Sequence, residues 1–177
     1  MSPQRVAVVT GGLGGIGTAI CRHLAQAGCR VIAADLDGPP ERRAAFGEAM
    51  QGLDAETAVL DVSDFDACAR FVANVEERHG TLDIVVNNAG ITRDATLRKM
   101  ERVQWEAVID VNLGSVFNLC RHAVDGMVTR GFGRIVNLAS VNGQTGQFGK
   151  TNYSAAKAGM HGFTMALARE VARKGVT

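Results

Sequence analysis

The chain has 177 residues, a length that suits one domain with a sizeable core. It is 46% hydrophobic, which argues against disorder, and 19 Lys and Arg against 18 Asp and Glu leave a net charge of +1. That balance, with its basic residues scattered, argues against a nucleic-acid partner or a dedicated anionic-membrane surface.

Short β-branched runs alternate with amphipathic stretches along the chain. Residues 5–10 read as a strand, and residues 15–27 as a helix that Gly28 ends. Residues 30–35 read as the second strand, and the turn Gly38-Pro39-Pro40 admits a helix over 41–50. Residues 57–60 form the third expected strand, and Ser63 is the expected N-cap of a helix running to His79. Residues 82–87 read as the fourth strand, followed by a long helical region over 101–130 in which Trp105 is expected to pack helix against sheet. Residues 134–139 read as the fifth strand and 152–173 as the last helix. These strands are continuous apolar runs, the pattern of a parallel sheet covered by helices on both faces. Gly175-Val176-Thr177 reads as a helix stop and the opening of another strand. The expectation is therefore an α/β fragment of a longer chain, truncated after the fifth βα unit, because so apolar a strand makes a poor bare edge.

The four cysteines, Cys21, Cys29, Cys68 and Cys120, lie in apolar stretches without a C-x-x-C pair, and are expected to be reduced core residues of a cytoplasmic protein. The four histidines have no ligand spacing, so no metal site is expected. The first strand begins too early to leave room for a signal peptide, and no apolar run approaches the roughly 20 residues of a membrane span.

Between the first strand and first helix lies Thr10-Gly11-Gly12-Leu13-Gly14-Gly15-Ile16-Gly17. Glycines there let the backbone turn sharply, approach a pyrophosphate and pack the helix on the strand, while the helix N-terminus offers N–H groups and a positive dipole end. Gly11, Gly15 and Gly17 follow G-x-x-x-G-x-G spacing; a plain glycine-rich turn has the same composition, but its placement between strand and helix favours a cofactor. Asp35 ends the second strand, 18 residues after Gly17. A carboxylate there accepts hydrogen bonds from ribose hydroxyls and repels a 2′-phosphate, favouring NAD(H), while Arg42 and Arg43 keep NADP(H) open. Near the C-terminus, Tyr153 and Lys157 stand four apart, on one face of a helix. A cation beside a phenol favours the phenolate and suits the phenol to pass a proton to or from a substrate oxygen.

With the glycine turn, Asn87-Asn88-Ala89-Gly90, Ser140 and Tyr153-x-x-x-Lys157 in order, the chain resembles the short-chain dehydrogenase/reductase family over its whole length. The resemblance implies a Rossmann-type doubly wound parallel sheet in three α/β/α layers, forming a single catalytic domain over 1–177 whose C-terminal strands and substrate lid are missing. It implies a nicotinamide cofactor held by Gly11, Gly15, Ile16, Gly17, Asp35, Asp61, Val62, Asn88, Ala89, Gly90, Tyr153 and Lys157. It implies catalysis by Asn112, Ser140, Tyr153 and Lys157, with Asn112 anchoring a water that links Lys157 to solvent. Asp94, Ser140, Gln147 and Tyr153 are the implied substrate contacts; Gln147 and Phe148 read equally as ordinary loop residues, and Arg93, Arg98 and Lys99 as a solvated face before a coenzyme A contact.

The stretches from Asn88 to Asp94, Ser140 to Gln144 and Gly146 to Tyr153 most resemble acetoacetyl-CoA reductases of polyhydroxybutyrate synthesis, and slightly less 3-oxoacyl-(acyl-carrier-protein) reductases of fatty acid metabolism. The implied activity is reduction of a short 3-oxoacyl thioester by NAD(P)H in a cytoplasmic homotetramer. A small-alcohol dehydrogenase of the 3-hydroxybutyrate type, or a truncated and inactive dinucleotide-binding module, are the alternatives.

Overall fold

The computed structural model describes residues 4–177. Its five strands are all parallel: β1 (Val6–Thr10), β2 (Arg30–Asp35), β3 (Ala55–Val59), β4 (Ile84–Asn87) and β5 (Arg134–Asn137), in spatial order β3-β2-β1-β4-β5. The order reverses between β1 and β4, so the crevice for a ligand opens at the carboxyl ends of these strands. The helices are α1 (Gly15–Gln26), α2 (Pro40–Ala49), α3 (Phe65–His79), α4 (Arg102–Ile109), α5 (Ser115–Arg130), α6 (Asn142–Thr145) and α7 (Thr151–Val171).

Two apolar layers sandwich the sheet, as expected. Ala7, Val9, Val31 and Ala33 pack against Cys21 and Ala25 of α1 and Phe46 of α2. Their neighbours of opposite parity, Val6, Val8, Ile32 and Ala34, pack against Cys68, Val72 and Val75 of α3 and Leu119, Ala123 and Met127 of α5. Alternation of side chains along each strand makes this division automatic. All four cysteines are buried and free. Burial pushes the Cys21 and Cys120 thiols up to about 12, so they pack as small hydrophobes. No helix among the described residues is long and apolar enough to cross a membrane.

The structure departs from the sequence expectations in four places. Coverage on both faces holds for β1, the middle of β2 and most of β4, while β3 and β5 are edges, with Val59 and Val136 about half exposed. The cap of α3 is Asp64, whose Oδ1 accepts from Ala67 N at 2.8 Å; the Ser63 hydroxyl instead donates to Asp61 at 2.6 Å. Trp105 lies at the surface of α4 with 39% exposure, not between helix and sheet. The long helix over 101–130 is broken by a π-helical turn at Asp110–Gly114. A repeated spacing of four explains that turn: Val108, Asn112, Val116 and Cys120 are all buried. In a 3.6-residue helix such a stripe drifts off the core by roughly 40° per step, and one wider turn absorbs the drift.

Candidate active site

A cleft of about 580 Å³ runs across the carboxyl ends of the strands. Gly11, Gly15, Ile16, Gly17, Asp35, Asp61, Val62, Asn88, Ala89 and Gly90 all line it, together with Arg42 and Arg93. Ten of the twelve residues expected to hold a dinucleotide therefore line one cleft; Tyr153 and Lys157 are not among its lining residues.

The glycine turn has two kinds of glycine. Gly17 is buried, and a Cβ there would run into the Gly11 carbonyl, so it is required for α1 to close on the turn. Gly15, at the first position of α1, is exposed, and a Cβ there would meet nothing within 4 Å. Gly14 caps α1 without a side-chain bond, and no acid lies in the first turn. The free N–H groups and dipole end of α1 thus open on the cleft with no acid in the helix's own first turn, which fits a pyrophosphate. Opposite, the Thr10 hydroxyl accepts from Asn88 N at 3.1 Å and Ala89 N at 3.0 Å, and Asn88 Nδ2 donates to Thr10 O at 2.8 Å. This buried threonine, which the sequence motifs did not single out, ties the turn after β4 to the end of β1; a hydroxyl at the last position of an apolar strand was its signal.

Asp35 is half-buried at the cleft wall and already engaged. Its Oδ2 accepts from Leu13 N at 3.0 Å and from Arg42 Nη2 at 3.2 Å, and its Oδ1 from Leu36 N at 2.9 Å. Arg42 thereby sits on the carboxylate that would meet a ribose, while Arg43 turns away to Asp37.

Lys157 is buried on α7, and its Nζ donates to Leu138 O at 2.6 Å. The same nitrogen lies 5.7 Å from the centroid of the Tyr153 ring and 3.8 Å from where a Cβ on Gly90 would stand, so it joins the tyrosine to the cleft wall. Burial pulls the Lys157 ammonium down to about 8. Asn112 sits in the π-turn and is fully buried. Its Oδ1 accepts from Ile91 N at 3.0 Å, and its Nδ2 donates to Ile91 O at 2.8 Å and to Val108 O at 3.0 Å. Both amide hydrogens are committed, while Oδ1, which accepts one bond, keeps a second lone pair.

Ser140 follows β5 and is half-buried. Its Oγ accepts from Asn142 N at 3.2 Å, which leaves the hydroxyl hydrogen free to donate. The α6 turn after it is packed so closely on α7 that a Cβ on Gly143 would lie 2.7 Å from the Lys157 backbone. Among the residues expected at the substrate, Gln147 accepts from Asn142 Nδ2 at 2.7 Å, Phe148 is 90% exposed, and Asp94 forms an ion pair with Lys150. Lys150 was present in the motif read from the sequence but given no role there.

The family model for short chain dehydrogenase matches residues 5–177. The chain is 59% identical to acetoacetyl-CoA reductase of Allochromatium vinosum, over 98% of this chain and 71% of that protein. It is 54% identical to acetoacetyl-CoA reductase of Cupriavidus necator, with the same two coverages. Among solved structures, the crystal structure of gox2181 superimposes with a TM-score of 0.91 at 36% identity, over 98% of this chain and 69% of that one. The cleft, the order of the strands and these matches agree: the chain belongs to the short-chain dehydrogenase family, and is an oxidoreductase of the alcohol/ketone class.

Proposed function

We propose that this protein reduces a short 3-oxoacyl thioester, of the acetoacetyl-CoA kind, to the 3-hydroxyacyl thioester, through Ser140, Tyr153, Lys157 and Asn112. A nicotinamide dinucleotide, when bound, supplies the hydride. The observation that carries the reading is the position of Lys157: one buried ammonium set between the phenol of Tyr153 and the wall of the glycine-turn cleft. The thioester as substrate draws on the 59% identity to an acetoacetyl-CoA reductase.

Each side chain then has a task. As charge builds on the carbonyl oxygen, the free hydrogen of the Ser140 hydroxyl stabilises it. Tyr153 delivers the proton, a contribution of typically about 10²–10⁴ in rate. Lys157 favours the phenolate that this transfer leaves. Asn112 holds the Ile91 backbone by two bonds and so fixes the segment that follows the Asn88-Ala89-Gly90 turn.

We assign NADH as the preferred donor, because the Asp35 carboxylate at the cleft wall repels a 2′-phosphate. The guanidinium of Arg42 on that carboxylate supports a second reading, in which it turns to a 2′-phosphate and NADPH is used. A homotetramer is the proposed assembly, supported by the apolar side chains exposed on α4, α5 and α7, namely Val103, Trp105, Phe117 and Met165. The test is a spectrophotometric assay with acetoacetyl-CoA, acetoacetate and an acyl-carrier-protein thioester, each with NADH and NADPH at equal concentration. Turnover of the coenzyme A thioester that depends on Tyr153 is the expected result; turnover of acetoacetate alone, or none with any thioester, overturns the assignment.

A further inference from the structure

The cleft carries a cation that the reading above does not use. Its charged lining residues are two carboxylates, Asp35 and Asp61, and two guanidiniums, Arg42 and Arg93. Arg42 is engaged with Asp35 at 3.2 Å, and Asp61 accepts from the backbone N and hydroxyl of Ser63. Arg93 forms no ion pair among the described residues; its side-chain bond runs from Nη1 to the adjacent Thr92 O at 2.9 Å. A guanidinium has five N–H donors, so most of its capacity is unspent. The sequence groups Arg93 with Arg98 and Lys99 as one solvated face. The structure separates them, because only Arg93 lines the cleft.

The backbone beneath this side chain is held at several points. Ile91 N and O are bonded to the Asn112 amide at 3.0 and 2.8 Å. Arg93 O accepts from the fully buried Asn152 at 3.0 Å. Ala95 N donates to Gly149 O at 2.9 Å, and the Asp94 carboxylate between them is taken by Lys150. The acid next to Arg93 in sequence is thus already neutralised, and the Arg93 side chain projects from a fixed base.

Charge decides what such a residue can receive. Without Arg93 the charged lining of the cleft would have a net charge of −1 and would oppose an anion. With Arg93 it is neutral, and the positive dipole end of α1 at Gly14 and Gly15 then favours one. A planar guanidinium suits phosphate because it can offer two parallel N–H donors. We infer that Arg93 is an anion contact of this cleft and that its ligand is a diphosphate ester. The identity of the carrier rests on the reductase reading, in which a nicotinamide dinucleotide and coenzyme A each bring one such group.

Arg93→Gln removes the charge and leaves in place the backbone carbonyl that Asn152 holds. One arm of the test titrates NADH by its fluorescence with no thioester present. The other compares acetoacetyl-CoA with acetoacetyl-pantetheine, which lacks the diphosphate, as substrates at saturating NADH. A loss of about tenfold in NADH affinity assigns the contact to the dinucleotide. A loss of about tenfold in the preference for acetoacetyl-CoA over acetoacetyl-pantetheine, with NADH affinity kept, assigns it to coenzyme A. Arg93→Lys, which keeps the charge without the parallel donors, should fall between Arg93→Gln and the original in the same arm. Changes below about twofold in both arms overturn the inference, and so does an Arg93→Lys variant as impaired as Arg93→Gln, which would make the effect one of shape. Should Arg93→Gln unfold, Arg93→Lys alone must still lose more than about twofold in one arm, and no loss overturns the inference. Failure of the reductase reading shows separately: neither thioester is then turned over, while the NADH titration, and calorimetry with free coenzyme A against pantetheine, still read Arg93.

Discussion

Replacing Lys157 by Met should change the stability of the protein in a pH-dependent way that reveals what its burial costs. Burial alone takes the ammonium from 10.5 down to about 8. A depressed lysine value means that between those limits the unfolded chain binds more protons than the folded one, so stability rises with pH across that window and the full cost is present below it. A gap of that size corresponds to about 3 kcal/mol at neutral pH. Met has similar length and no charge, so it removes this cost, while leaving Leu138 O without the donor that now lies 2.6 Å away, a loss of about 1–2 kcal/mol. At pH about 7 the variant should thus be more stable than the original by roughly 1–2 kcal/mol. By pH about 9.5 the folded lysine has given up its proton while the unfolded one still holds most of its own, so the advantage should shrink by about 2 kcal/mol, to nothing or slightly below. Urea unfolding of both forms at the two pH values measures this as a difference of differences, in which every other titrating group cancels. A stability difference equal at both pH values would show that Lys157 is not desolvated as described. Loss of turnover in the more stable variant is the expected companion, a site held against the preference of the fold.

The remaining predictions concern the cleft and the turn that supports it. Tyr153→Phe should lower turnover by about 10²–10⁴ with the fold retained, as read by steady-state kinetics and circular dichroism. Gly17→Ala should destabilise by about 2 kcal/mol or more in urea because its Cβ meets the Gly11 carbonyl. Gly15→Ala, with open space around it, should unfold within about 0.5 kcal/mol of the original yet bind NADH more weakly in a fluorescence titration. Asn112→Ala strips the partners from Ile91 N and O at a fully buried position, and should lower stability by about 2–4 kcal/mol. Arg42→Ala should leave NADH turnover within a few-fold; a selective collapse of NADPH turnover would identify Arg42 as the phosphate contact and weaken the Asp35 argument.

Much of this molecule was legible from residue order because its signals are local. The apolar runs that form β1 and β2 appear over 5–10 and 30–35, and the glycine turn between β1 and α1 combines conformational need with position. The edges of the sheet were harder. β3 starts at Ala55, where Glu56 and Thr57 interrupt the apolar run, because an edge strand tolerates polar residues on its open side. Capping by Asp64 in place of Ser63 was a choice between neighbouring residues that both suit the position, settled by Ser63 bonding to Asp61. The site divides the same way. Tyr153 and Lys157 declare themselves by helical spacing and Asn112 by the family resemblance, but Lys150 acquires meaning only from a carboxylate 56 residues away, and the bonds of Asn112 only from a backbone segment 21 residues earlier. Partners that distant leave no periodicity to read.

Ala95 N donates to Gly149 O, and the Asn152 amide to Arg93 O and Gln104 O, a seam between residues 93–104 and the head of α7 that bears on how this protein fails. Its bonds join two surface segments to each other rather than to the sheet, so mild denaturant can release them together while β1, β2 and β4 remain protected. Inactivation would then run ahead of global melting. Amide exchange along 93–104 and the first turn of α7 would rise in step, a clock for loss of competence separate from loss of the fold.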